Sequence, residues 1–457
     1  MAGIGFELRK ILREDRLLSL SKVYGYSAIL SSGPWVVSIL AIVLVGFINL
    51  ANMGDVSDAF RFQVVITYAI ALASSLIITG ILQLPFTRYV ADLIFKKRED
   101  EILPAYFGAL LMAWGLGLPL VTPFYIWVFE EQSILFIIGV VATFLVLCGV
   151  WISSILAASL KYYNGVVWAY FVSYSAIVVG SYYFGDSIEM LIFVFFLGNA
   201  LLFVILMTLI IKSYDSSIFM KVDFFLAKNF YWTLAIAGLT YNLGAWVDKF
   251  IFWYHPATGH TVIGKLNASI VYDMPIFLAY LSILPGMAIF FYRLEADFAE
   301  KYDLYYDAVR SGGTLGMIRG YRNDMVEVIR HAIHEILMIQ GIVDVILFLS
   351  APKVFEILRI PQLYLGLLYI LTIGALLQIA FMSVLAILYY LDRKKVAMWL
   401  CISFFVTNAL LTLLSINLGP AYFGYGYTVS LLFVFMVSMV VMRNEMERLD
   451  YETFMLQ

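Results

Sequence analysis

Residues 86–96 read FTRYVADLIFK, and residues 291–301 read FYRLEADFAEK. Both fit F-x-R-x-x-A-D-x-x-x-K, displaced by 205 positions, and both close a long apolar run. Arg88 and Asp92, like Arg293 and Asp297, stand four residues apart. On a helix each pair lies on one face and can form an ion pair. An arginine at that place also snorkels as its helix leaves an apolar layer. A second correspondence lies upstream of each motif: GPWV (Gly33–Val36) and GAWV (Gly244–Val247), 211 positions apart. Agreement in offset and order predicts two similar halves in one orientation.

The solvent of those halves follows from composition. The chain has 457 residues, 63% hydrophobic and 13% charged, with a mean hydropathy of +0.92. Soluble domains are typically about 45–50% apolar and about 25% charged. An all-α polytopic membrane protein is expected. A span needs about 20 mostly apolar residues. Such runs fall at 23–50, 61–86, 104–129, 133–158, 165–184, 187–211, 229–254, 267–292, 332–350, 363–391, 396–416 and 425–442, which predicts twelve helices.

With the N-terminus inside, 24 of the 29 basic residues fall in cytoplasmic segments. Arg61, Lys265, Lys353 and Arg359 fall outside, and Lys249 falls within the membrane. By the positive-inside rule both termini are cytoplasmic. Ile4, Leu8, Ile11 and Leu12 recur at helical spacing beside Arg9, Lys10, Arg13 and Arg16, so 1–22 is expected to be an amphipathic helix on the inner membrane face. The expected layout is then a six-helix lobe at 23–211, a cytoplasmic linker at 212–228, a second six-helix lobe at 229–442 and a tail at 443–457. The second lobe carries a cytoplasmic insertion, 293–330, with 6 basic and 7 acidic side chains. Parallel repeats of this sort, related by a pseudo-two-fold axis along the membrane normal, are one architecture of alternating-access transporters.

The opening MAGIGFELRK (residues 1–10) and YGYSAILSSGPW (residues 24–35) resemble the PelG family, the polytopic subunit of an exopolysaccharide apparatus. Length, helix number and lobe symmetry agree along the whole chain. That family is in turn similar to the multidrug/oligosaccharidyl-lipid/polysaccharide flippases, whose two six-helix lobes surround a central cavity. The resemblance implies a role in exopolysaccharide biosynthesis and biofilm formation at the bacterial inner membrane. It implies export of the polymer or its lipid-linked precursor, with a cytosolic glycosyltransferase and other membrane subunits as partners. It carries no residue-level transport motif onto these positions.

No catalytic constellation is expected, and no cofactor, metal or nucleic-acid partner. Cys148 and Cys401 each sit in an apolar run and read as small buried hydrophobes. His331 and His334 read as interfacial residues, and SGGTLG (Ser311–Gly316) as a turn between cytoplasmic helices rather than a phosphate loop.

Asp248 and Lys249, inside YNLGAWVDKFIFWY (241–254), are the charges most costly to place in hydrocarbon. Adjacent side chains diverge by about 100° on a helix, so each is expected to find a partner on another helix, or water. Two readings stand open: a structural ion pair, for instance with Asp344, or a lining of a wet pathway that also includes Asn242, Gln340 and Asp344. Asn199, Asp273, Gln378 and Asn408 are further intramembrane polar groups, and a lone Asn or Gln among them reads as an interhelical hydrogen-bonder. Arg293, Asp297, Lys301, Arg310, Arg319 and Arg322, in an insertion longer than a connection requires, form the expected docking surface for the glycosyltransferase. The alternatives are a small-molecule antiporter of the multidrug class and a non-transporting scaffold for the synthase. No central Asp or Glu occurs in the first five runs, where such an antiporter often carries its coupling ion.

Overall fold

A computed structural model describes residues 37–38, 41–42, 44–46, 48, 56–66, 74–159, 163–225, 230–357 and 360–455. The helix expected at 1–22 and the GPWV stretch lie outside them. In chain order the elements are α1 (Val56–Val64), α2 (Ser75–Phe95), α3 (Ile102–Val128), α4 (Ile134–Ser159), α5 (Tyr163–Phe184), α6 (Ile188–Ser213) and α7 (Trp232–Tyr254). A two-stranded antiparallel hairpin follows, β1 (His260–Ile263) and β2 (Leu266–Ala268), with Thr261 facing Asn267. The chain continues through α8 (Ile270–Ser282), α9 (Leu284–Tyr292), α10 (Ala299–Arg310), α11 (Leu315–Ile357), α12 (Leu365–Tyr390), α13 (Lys394–Leu418) and α14 (Tyr425–Met455).

Ten helices among the described residues are long and apolar enough to cross a membrane. They account for the third to sixth and eighth to twelfth apolar runs, together with α2. Of the second run, expected at 61–86, α2 is described from Ser75 and carries the FTRYVADLIF motif as helix to Phe95. The seventh run is the unbroken helix α7, whose charged and amide residues dilute its apolar character. The chain is an all-α polytopic membrane protein.

It forms two compact units, one of residues 33–246 and 252–269, the other of 1–32, 247–251 and 270–457. In the first unit α4 packs against α3 and α6 around Tyr106, Phe144, Ile152, Ile192 and Phe195, all buried. Tyr106 cannot lie in that core unpaired, and its hydroxyl meets Ser153 Oγ at 2.7 Å. The expected linker 212–228 is tied down at Lys221. Its backbone N–H donates to the Pro104 carbonyl at 3.0 Å, and its ammonium pairs with Glu101 at 2.9 Å. Where α2 meets α7, a Cβ on Gly238 would stand 2.2 Å from the Gly80 carbonyl oxygen. Only glycine lets the two backbones approach so closely, a common device where helices associate in lipid.

In the second unit α12 is the most enclosed span, with 16 of its 26 residues buried. It packs against α8, α11 and α14. Helix α11 has 43 residues, roughly 64 Å at 1.5 Å per residue, twice what a hydrocarbon core requires. Its first turns, which carry Arg319, Arg322 and Arg330, run beside α10.

Candidate functional site

Both copies of the repeated motif form the pair their spacing predicts. Arg88 Nε lies 3.2 Å from Asp92 Oδ1, and Arg293 pairs with Asp297. Each is also drawn into a further contact, Asp92 accepting from the Tyr231 hydroxyl and Arg293 pairing with Glu335. In both copies the motif's charged pair thus also ties its helix to a residue of another segment.

Asp248 and Lys249 correct the sequence expectation. Each does find a partner on another helix, as expected, but the two also pair with each other: Lys249 Nζ lies 3.1 Å from Asp248 Oδ2 and 3.3 Å from Oδ1. The lysine stem is long enough to fold back around the helix across the 100° that separates the two Cβ directions. The pair is sealed, Asp248 0% and Lys249 2% exposed. Two tyrosines of α8, two turns apart on one face, complete it. The Tyr272 hydroxyl donates to Asp248 Oδ2 at 2.6 Å, and Lys249 donates to the Tyr280 hydroxyl at 3.2 Å. The ammonium also stands 5.1 Å from the Tyr280 ring centroid and 5.6 Å from that of Tyr427 on α14. Tyr427 donates in turn to Gln378 of α12. A buried ion pair persists only when further hydrogen bonds satisfy what the pair leaves over, and the aromatic faces supply cation–π attraction that strengthens with desolvation.

Gln340 and Asp344, one turn apart on α11, are bonded as their spacing predicts: Gln340 Nε2 donates to Asp344 Oδ1 at 2.7 Å. The same carboxamide enters the break between α8 and α9. Its Nε2 donates to the Ser282 carbonyl at 2.8 Å, and its Oε1 accepts from the Gly286 N–H at 3.3 Å. Those two backbone groups, four residues apart, would bond each other in an unbroken helix. Pro285 between them cannot continue the ladder, and in an apolar surround the freed groups need partners. One side-chain amide therefore replaces one rung. Gly286 admits it, since a Cβ there would lie 2.8 Å from Gln340 Oε1.

Asn242 is placed elsewhere. Its amide donates to the Leu76 carbonyl at 3.0 Å, beside the Gly80–Gly238 crossing of the first unit. Of the expected docking residues, most are joined internally: Arg293 as above, Lys301 to Asp324 at 3.2 Å, Arg322 to Asp450 at 2.6 Å and Arg310 to Asp307 at 2.5 Å. Asp450 also accepts from Tyr305 at 3.3 Å, and burial pushes the Tyr305 hydroxyl up to about 12. Arg319 is exposed. The α10–α11 turn at 311–314 falls where SGGTLG predicts it, and Leu315 and Met317 beyond it are 52% and 51% exposed.

Among the described residues no group of three or more His, Cys, Asp or Glu side chains could hold a metal ion. Both cysteines are free and buried. Sequence reading missed Tyr272, Tyr280 and Tyr427. The available signal was the spacing of Tyr272 and Tyr280 beside Asp273, but with 31 tyrosines in the chain nothing singled it out.

One family matches along almost the whole length: PelG, described as "Putative exopolysaccharide Exporter (EPS-E)", over residues 1–454. The chain belongs to the PelG family. Membership makes this a membrane transport protein of exopolysaccharide export, and the solved structures agree in fold. An outward-facing multidrug resistance MATE transporter of the MOP superfamily is similar at 13% identity and a TM-score of 0.64, over 93% of this chain and 96% of that one. A MOP-superfamily transporter from Pyrococcus furiosus is similar at the same identity, coverage and TM-score. An inward-facing MATE transporter is similar at 14% identity and a TM-score of 0.57, over 93% and 95%. No curated protein matches in sequence. PelG-family membership and the transporter fold rest on independent grounds, one on sequence and one on shape.

Proposed function

We propose that this chain moves the Pel exopolysaccharide, or its lipid-linked precursor, across the bacterial inner membrane, fed by a cytosolic glycosyltransferase and working with other membrane subunits. The observation that carries the reading is the family match over 1–454. Twelve spans in two six-helix lobes around a central cavity, with both termini cytoplasmic, are the arrangement this function uses. Asp248, Lys249, Gln340 and Asp344 are its polar machinery. In the present conformation the ion pair is closed under Tyr272, Tyr280 and Tyr427. Opening that aromatic cover exposes fixed charge and hydroxyl donors to a hydrophilic chain, while Asn242 holds the α2–α7 crossing.

The multidrug transporters among the similar structures favour a second reading, a small-molecule antiporter. The absence of a central carboxylate from the first five runs weighs against it. The test is a deletion strain complemented with wild type or with Tyr280→Phe/Tyr427→Phe, with polymer quantified inside and outside the cell. The proposal expects polymer made but retained when the cover is altered, and unchanged drug tolerance. Loss of synthesis itself would indicate a scaffold, and a change in drug tolerance an antiporter.

A further inference from the structure

Two carboxylates buried in the second unit are answered differently. Asp248 is 0% and Asp344 4% exposed. Asp248 has a cation, Lys249, and the Tyr272 hydroxyl. Asp344 makes no ion pair among the described residues. It stands about 9 Å along α11 beyond Met338, at 1.5 Å per residue, and short of Leu349. Met338 and Leu349 are both apolar and exposed on a helix long enough to span, so Asp344 lies at hydrocarbon depth.

The hydrogen bonds around it can be followed donor by donor. Gln340 has two N–H groups. One donates to Asp344 Oδ1 at 2.7 Å and the other to the Ser282 carbonyl at 2.8 Å. The Gly286 N–H, which can only donate, fixes the amide in that orientation through Oε1. The other polar neighbour of the carboxyl is Ser282 Oγ. Its one hydrogen is committed to the Ala279 carbonyl at 2.8 Å, because a carbonyl oxygen can only accept. Towards Asp344 the serine therefore turns lone pairs. An ionised carboxylate would meet those lone pairs with a single neutral N–H in its favour. A protonated carboxyl satisfies every group: one oxygen accepts from Gln340 and the hydroxyl donates to Ser282 Oγ.

The helices packed against α11 supply no cation to this carboxyl. On α8, Tyr272 and Tyr280 serve the Asp248–Lys249 pair, on α12 Tyr369 donates to the Phe348 carbonyl, and on α14 Tyr427 donates to Gln378. Neither these nor Asp273 of α8 and Tyr292 of α9 bond Asp344. A buried acid left without a cation neutralises itself by holding a proton. Its place matters as well, since Gln340 joins it to the break between α8 and α9. Interrupted spans, with freed carbonyls and half-helix ends, are where membrane transporters hold coupling ions.

We infer that Asp344 is a proton-binding site, loaded while the α8–α9 break is closed and discharged when the break admits water. The step is an acid dissociation. The carboxyl O–H bond breaks, the proton passes to the entering water, and the carboxylate takes a proton back before Gln340 returns to the break. Under the transport reading above, on which the use of that proton rests, export draws on the proton gradient.

The test compares full-length wild type with Asp344→Asn in detergent at neutral pH, by infrared spectra in light and heavy water and by thermal midpoint. Asparagine reproduces the protonated acid, accepting from Gln340 and donating to Ser282, so the variant should melt with wild type. Wild type minus variant should show the stretching band of a protonated carboxyl, shifted downward in heavy water. In a deletion strain Asp344→Asn should make polymer but retain it, having no proton to release, while Asp344→Glu restores part of the export. Absence of the band would overturn the site, as would a midpoint of Asp344→Asn far below wild type, the mark of an ionised carboxylate. Full export by Asp344→Asn would overturn the discharge. The band is read without export, so failure of the transport reading leaves the site to stand or fall on the spectrum.

Discussion

Lys249 and Asp248 neutralise each other from adjacent positions of one helix, 3.1 Å apart and closed off by tyrosines of α8 and α14. Because both charges are desolvated, removing one strands the other. Lys249→Met leaves a buried carboxylate with only the Tyr272 hydroxyl to answer it among the partners above, and breaking a buried pair typically costs about 3–5 kcal/mol. The thermal midpoint in detergent should fall sharply in Lys249→Met and recover in Asp248→Asn/Lys249→Met, where neither charge remains. A single variant as stable as wild type would mean that water reaches the carboxylate.

Much of this was legible in the sequence, for identifiable reasons. Apolar runs announce spans because hydrocarbon admits little else, and the Arg88–Asp92 and Arg293–Asp297 pairs follow from spacing along one helix. So does the Gln340–Asp344 bond. What could not be read depends on neighbours distant in the chain. The Gly80–Gly238 approach involves residues 158 positions apart, and nothing local distinguishes Asn242 as a carbonyl-binding residue from a pathway residue. The Asp248–Lys249 pairing depends on the reach of the lysine stem, which the divergence of the Cβ directions does not reveal.

Gln340 offers a second test of the second unit. Its amide replaces the Gly286–Ser282 rung, so Gln340→Leu leaves a buried N–H and a buried carbonyl without their partner. Each such group costs about 1–3 kcal/mol. Gln340→Glu should be milder, since the carboxyl still accepts from Gly286 and, when protonated, donates to Ser282. The expected order of thermal midpoints is wild type, then Gln340→Glu, then Gln340→Leu. Equal stability of the glutamate and leucine variants would show that the amide does not hold the break.

Orientation rests on where the basic residues fall, 24 of 29 on one expected side. Gly259 lies just beyond α7 and Gly313 in the α10–α11 turn, with the α8–α9 span between them in the chain. Reporter fusions at the two positions should therefore report opposite sides, Gly313 cytoplasmic and Gly259 periplasmic. Signals from the same side would remove both the orientation and the proposed parallel repeat.

We propose that the tip of the α10–α11 hairpin, and not the whole 293–330 segment, receives the glycosyltransferase. Arg293, Lys301 and Arg322 hold α9, α10 and α11 to one another and to the α14 tail, through Glu335, Asp324 and Asp450. A side chain engaged in that way is poorly placed to receive a partner. Leu315 and Met317 are instead half exposed beside Arg319 at the start of α11. Apolar side chains presented on a polar extension beyond the membrane suit a protein surface better than water. Deleting Asp303–Gly316 would also remove Tyr305, which bonds Asp450, so point substitutions separate docking from folding. Leu315→Asp/Met317→Asp should abolish co-purification of the cytosolic glycosyltransferase while leaving the thermal midpoint unchanged. Arg322→Ala should do the reverse, lowering stability by roughly 1 kcal/mol, as partly exposed ion pairs do, while the enzyme still co-purifies. If the double aspartate variant retains the enzyme and Arg322→Ala releases it, the docking surface lies along the ion-paired flank of the hairpin and not at its tip.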